Sequence, residues 1–125
     1  MGSIANTSFT DRAVEQLRDW PALRICRADC GPGRGVALST RQIVHLHSDT
    51  EAEVHLTWPV VHRMAEVLLA CGRVTITPGN DWVQVRLDSD SDVRLLASLV
   101  SVAIKANVQA SDEPHRPVAS CPQVA

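Results

Sequence analysis

At 125 residues, the chain has the size of one domain and can bury a single hydrophobic core without staples. With 45% apolar residues and a formal net charge of −2, it lacks the basic surface that neutralising phosphates requires, which argues against a nucleic-acid partner. Three Trp, one Phe and no Tyr are also too few for a base-stacking platform.

Residues 1–9 read as a flexible leader. "TDRAVEQLRDWP" then reads as a short helix, capped by Thr10 or Asp11 and halted before Pro21. Three strand-like runs follow, over 23–30, 35–40 and 42–48. "CGPGRG" forms the turn between the first two. This glycine-rich stretch has no Lys-Ser/Thr and opens no helix, so it is no phosphate loop. "AEVHLT" makes a further short strand. "TWPVVHRMAEVLLACG" reads as a helix with Thr57 as cap, Pro59 in its first turn and Gly72 as its stop. Within it, His62 falls one turn before Glu66, a modest surface pair.

"RVTIT" and "DWVQVRLD" form a second strand pair around "PGN". Ser89 and Asp92, in capping-box spacing, open the last helix. "DSDSD" from Asp88 imitates a calcium loop. Val93 stands where that loop needs Gly and Leu99 where it needs Glu, so its acids are assigned to the helix N-terminus. The apolar run from Val93 is shorter than a membrane span and contains Arg94 and Lys105, so no membrane contact is expected. Residues 109–125, rich in Pro, Ser and charge, read as a disordered tail. A single domain over 10–108 results. Its order is α-β-β-β-β-α-β-β-α, an α+β fold with a mainly antiparallel sheet and helices packed on one face.

The cysteines, Cys26, Cys30, Cys71 and Cys121, show no CxxC spacing. Cys26 and Cys30, four apart on a strand, would lie about 13 Å from each other at the extended rise, too far to bridge. With no secretory h-region ahead of them, reduced thiols in a cytoplasmic protein are expected. Cys71 lacks the helix N-terminus that activates a thiol and reads as core.

Strand alternation sorts the polar residues. Val44 and Leu46 oppose Ile43, His45 and His47; Val54 and Leu56 oppose Glu53, His55 and Thr57; Val83, Val85 and Leu87 oppose Trp82, Gln84 and Arg86. With the aliphatic sets under the helices, the other side of the sheet collects His45, His47, His55, Trp82, Gln84 and Arg86. Imidazoles, an indole and a guanidinium together make a binding floor or a subunit interface, where solvation alone would favour Lys and Glu.

The ordered set "GVALSTRQIVHLHSD", a helix ending "LLACGRV", a Trp-headed strand and "DSDSDVRLLASLV" resembles the luciferase-like domain family, a small microbial domain shared with fungal luciferase. The resemblance spans about residues 12–107. Its specific part is R-x-I-x-H-x-H, here Arg41, Ile43, His45 and His47, followed by Gly72 and Trp82. Within that family, fungal luciferase adds dioxygen to a hydroxylated pyrone with no flavin or metal, whereas the small bacterial relatives have no agreed activity. The resemblance therefore implies a related small-molecule site. His45 and His47 match the family's histidine pair, Trp82 its strand-leading tryptophan, and Asp49 the polar position after the pair. One departure stands out. Many relatives carry another histidine between the helix-ending Gly and the Trp strand, whereas "RVTITPGND" has none. If chemistry needs that residue, this chain binds without turnover.

Cofactor-independent oxygenation of an enol or phenol begins with proton removal, which suits a neutral histidine. In that reading His45 or His47 is the catalytic base, Arg86 stabilises the anion and Trp82 is a flat wall. Arg41, Asp49, His55 and Gln84 complete the expected ligand-binding set. The same groups would serve an isomerase or cyclase. For a metal, His45 and His47 supply two imidazoles with His55 or Asp49 as third ligand, but no spacing fixes that third ligand, so no metal and no other cofactor is assigned. The expected partner is a planar phenolic or polyketide-like small molecule. The rival reading is a non-catalytic ligand carrier, or a module that uses the same face to form a homodimer.

Overall fold

The computed structural model describes residues 8–29 and 31–110. The elements are α1 (Phe9–Arg18), β1 (Leu23–Arg27), β2 (Arg34–Leu38), β3 (Arg41–Leu46), β4 (Glu51–His55), α2 (Trp58–Ala70), β5 (Val74–Ile76), β6 (Trp82–Arg86) and α3 (Asp90–Ala110). The expected order of nine elements holds, and the fold is α+β. The expectations for residues 1–7 of the leader, for residues 111–125 of the tail, with Cys121, and for Cys30 fall outside the described residues. Ser8 and Phe9 belong to the start of α1, and residues 109–110 to the end of α3.

The six strands form one antiparallel sheet in the order β1-β2-β3-β4-β6-β5. Its register explains both the core and the site. One row across the sheet reads Ile25, Val36, Val44, Val54, Val83 and Ile76. Its four central valines are fully buried with Leu96, Val100 and Ala103 of α3 and Val61 of α2. The adjacent row reads Cys26, Gly35, His45, Glu53, Gln84 and Thr75. Successive residues of a strand point to opposite faces, so the valine row and the polar row share a backbone but not a side.

A bulge modifies this pattern in β3. Val36 pairs with Val44 and Ala37 with Gln42, which leaves Ile43 as an extra residue. Strict alternation expects Ile43 and Arg41 beside His45. Instead Gln42 bonds His45, while Arg41 bonds Asn107 of α3.

The helix ends revise two sequence expectations and keep a third. Ser8, not Thr10 or Asp11, caps α1: its Oγ accepts from Asp11 N at 3.0 Å, and Asp11 Oδ2 accepts from Ser8 N at 3.3 Å. Thr10 is buried instead. Thr57 occupies the cap position of α2 but its side chain makes no cap bond. Asp81 does that work across the fold, its Oδ1 accepting from Trp58 N at 2.6 Å. At α3, Ser89 Oγ accepts from Asp92 N as the spacing predicts, while Asp92 Oδ2 reaches past it to Asp88 N at 2.8 Å.

Gly72, with φ +75°, ends α2 as expected. Cys71 beside it is exposed, which corrects its assignment to the core. Its Sγ donates to Leu68 O at 3.0 Å. His62 lies against Trp58, with ring centroids 5.4 Å apart. Among the described residues, no helix is long and apolar enough to cross a membrane.

Candidate functional site

His45 on β3, His47 just beyond its end, Glu53 and His55 on β4 and Trp82 on β6 come together. His45 stacks on the Trp82 indole with centroids 4.5 Å apart and an interplanar angle of 18°. His55, paired with Trp82 across the ladder, meets the same indole edge-on at 5.1 Å. His45 and His47 have ring centroids 5.5 Å apart. The sequence expects these rings on an open sheet face. They are buried: His45 and His55 are 2% exposed and Trp82 is 3% exposed. With His45 already against the indole, a ligand cannot lie between those two rings.

Each histidine donates one N–H to a group that can only accept, and this decides where its basic lone pair lies. For His45 the arbiter is Gln42. The Gln42 Nε2 donates to Arg27 O at 2.7 Å and Oε1 accepts from Asp29 N at 2.9 Å, so two backbone groups settle the amide's orientation. His45 Nε2, 2.9 Å from Oε1, is therefore the protonated nitrogen, and Nδ1 carries the lone pair. Gly35 makes this possible. A Cβ there would stand 2.5 Å from Gln42 Oε1, so only glycine leaves room for the amide. Burial pulls the His45 pKa below its usual 6.5, against the opposing charge of Asp29, whose Oδ1 is 3.2 Å from Nε2.

For His47 the arbiter is the Pro32 carbonyl, which accepts from Nδ1. Pro32 reaches the ring because Gly33, at φ +110°, presses its backbone against Leu46 and His47; a Cβ there would meet Leu46 O at 2.4 Å. The His47 lone pair is thereby assigned to Nε2, which stands 3.4 Å from Glu53 Oε1. Glu53 is 1% exposed. The imidazole nitrogen and the buried carboxylate oxygen thus face each other at a separation across which a proton can be shared.

For His55 the arbiter is Asn107. Its Nδ2 donates to His55 O at 2.8 Å and Ala103 O at 2.7 Å, which leaves Oδ1 to accept from His55 Nδ1 at 2.7 Å and Arg41 Nη1 at 3.3 Å. The buried His55 Nε2 has no hydrogen-bond partner among the described residues. Burial lowers the His55 pKa, with the Asn107 bond opposing it, so the ring is held neutral.

The remaining expected residues lie further out. Gln84 is half-buried and pairs with Glu53 across the ladder. Arg86, on the same side two residues on, is exposed and its Nε donates to Asp88 at 2.6 Å. Asp49 is exposed in the turn between β3 and β4. Arg41 reaches the cluster through its bond to Asn107. For a metal, the third ligand that geometry offers is neither His55 nor Asp49 but Glu53: one ligand atom each from His45, His47 and Glu53 lie within 4.8 Å of one another.

Sequence reasoning placed Glu53 on the right face and gave it no role, although E-x-H in β4 mirrors H-x-H in β3. Asn107 had a readable signal, a lone amide continuing the apolar α3 stripe of Leu96, Val100 and Ala103. Gln42 had none, since a bulge decides its side.

The family model described as the luciferase domain matches residues 40–103, just over half of the chain. That interval runs from the strand bearing the histidine pair, through Glu53, His55 and Trp82, into the buried part of α3. No curated protein and no solved structure matches the chain. The chain belongs to the luciferase-domain family.

Proposed function

We propose that the cluster around His47 and Glu53 is an acid–base site for a planar phenolic or enolic small molecule. One observation carries this reading: a histidine whose lone pair is directed, by a backbone carbonyl, at a buried carboxylate 3.4 Å away. A pair of that kind offers a nitrogen lone pair and a carboxylate oxygen between which a proton from a substrate hydroxyl can be held. His47 is the site's more accessible histidine, its side chain 11% exposed against 2% for His45. An incoming hydroxyl therefore meets the pair at His47.

The chemistry follows from what the pair lacks. A phenol or enol gives its O–H proton to the pair and remains as an electron-rich anion. The anion's carbon can then add dioxygen as a co-substrate, in keeping with a luciferase-like role, or it can rearrange. Trp82, clasped by His45 and His55, forms a rigid wall behind the reacting groups. The rival reading of ligand carriage keeps the same wall and omits the reaction. Use of these rings as a dimer interface receives no support from their burial within one chain.

The test is a titration of chelator-treated protein with planar phenols and cyclic enols, followed by NMR of the histidine rings and the Trp82 indole. The reading expects His47 and Trp82 resonances to move together. Oxygen consumption that Glu53→Gln abolishes would assign catalysis, and binding without consumption would assign carriage. A folded protein whose His47 and Trp82 signals ignore every such compound contradicts both.

A further inference from the structure

We infer that His45, His47 and Glu53 form a binding site for a divalent first-row transition-metal ion. Glu53 faces His45 directly in the β3–β4 register, and His47 lies two residues along the same face, so the backbone ladder itself assembles the three. Two imidazole nitrogens and a carboxylate form a donor set for zinc, iron, cobalt or manganese, whereas magnesium and calcium prefer oxygen alone.

Three features of the cluster go beyond the proximity of its side chains. The first is the direction of the lone pairs. Pro32 takes the proton of His47 on Nδ1, so that Nε2 is presented unprotonated toward Glu53. Gln42 likewise takes the proton of His45 on Nε2 and leaves its lone pair on the other nitrogen. Metal-binding histidines are held in this way, donating their second N–H to a carbonyl or carboxylate that fixes ring and tautomer. The second is distance. Two ligand atoms each about 2.1 Å from an ion at the tetrahedral angle are about 3.4 Å apart, and His47 Nε2 and Glu53 Oε1 are separated by 3.4 Å. The third is burial. Glu53 is 1% and His45 2% exposed, so these two donors converge with His47 where bulk water competes little for an ion.

The three residues leave positions for water or for an oxygen of the small molecule. The inference uses the same cluster as the proposed function, but not its ligand chemistry. Either can stand while the other fails, and the experiment separates them.

Chelator-treated full-length protein is titrated with Co2+ and read by visible absorption, then with Zn2+ in competition. One equivalent of Co2+ with bands of a four- or five-coordinate ion, displaced by Zn2+, is expected. His47→Gln and Glu53→Gln should each weaken uptake at least about tenfold while circular dichroism shows the fold retained. His62→Gln, an exposed histidine on α2, should leave uptake unchanged.

Wild-type protein that takes up neither ion overturns the inference without reference to any variant. So does uptake that follows His62 instead of His47, which marks adventitious surface binding. Shifts of His47 by a phenol in chelator-treated protein that shows no cobalt bands would retain the acid–base reading and remove the metal. Cobalt bands without any response to phenols or enols would do the reverse.

Discussion

His47 Nε2 stands 3.4 Å from Glu53 Oε1, while the other nitrogen of the same ring is committed to Pro32 O. Glu53 is 1% exposed, so this pairing is shielded from solvent. Replacing Glu53 with Gln removes the charge and supplies an amide N–H that can donate to His47 Nε2. In chelator-treated protein at pH 7, Glu53→Gln should raise unfolding stability by about 1 kcal/mol while ligand response or turnover is lost. Urea unfolding measures the first and the small-molecule titration the second. A variant that loses stability would show that Glu53 is structural.

Asn107 holds four groups at once: the His55 ring, the His55 carbonyl, the Ala103 carbonyl and Arg41. Asn107→Leu keeps the volume and strands these groups in a buried setting. The expected cost is about 2–4 kcal/mol, because unmade buried hydrogen bonds cost more than made ones contribute. The change should also release His55 from its tautomer, visible in its ring nitrogen shifts. A loss below about 0.5 kcal/mol would show that the hydrogen bonds of Asn107 contribute little to the fold.

Gly35→Ala tests the positioning of His45 from a residue that touches no proposed ligand. A Cβ at that position meets Gln42 Oε1 at 2.5 Å, so the amide has to move and the His45 Nε2 bond goes with it. A stability loss of about 1–3 kcal/mol is expected, with a mixture of His45 tautomers in place of one. Unchanged His45 shifts would show that Gln42 does not set the ring.

Stability should fall on mild acidification. Folding lowers the pKa values of His45 and His55 below their usual 6.5, chiefly by burial. Above pH 6.5 both rings are neutral in the folded and the unfolded chain, and stability is at its full value. Below pH 6.5 the unfolded chain takes up protons first, so stability declines until the folded rings also titrate. A second decline belongs to Asp11, whose pKa is lowered first by its bond to Arg34. Its contribution is present above 3.8 and is lost as pH falls below that value. Urea midpoints between pH 8 and pH 4 follow the first decline, and a flat profile from pH 7.5 to pH 5 would contradict it.

The order of elements was legible because period and punctuation agree along this chain. Aliphatic alternation marks β3, β4 and β6, while Pro59, Gly72 and the Ser89–Asp92 spacing bound the helices. The grouping of His45, His47, His55 and Trp82 followed from the pleat alone. What alternation could not supply was depth and register. Ile43 is the extra residue of a bulge, and that single insertion decides that Gln42, not Arg41, touches His45.

Glu53 acquired a partner only once β4 was seated against β3, and Asp81 became a helix cap only through a contact 23 residues distant from Trp58. Such relationships are set by tertiary packing, which local pattern does not encode. Burial of the rings lies beyond alternation for the same reason, and a cysteine at a helix C-terminus, as Cys71 is, stays exposed unless a neighbouring element covers it.

The most direct measurement is long-range 1H–15N NMR of the histidine rings in protein labelled on both imidazole nitrogens. Protons should be found on His45 Nε2, His47 Nδ1 and His55 Nδ1, with His47 Nε2 bare, shared with Glu53 or bound to a metal. A neutral His47 carrying its proton on Nε2, with Nδ1 unprotonated, would break the bond to Pro32 and remove the chemistry assigned to its pairing with Glu53.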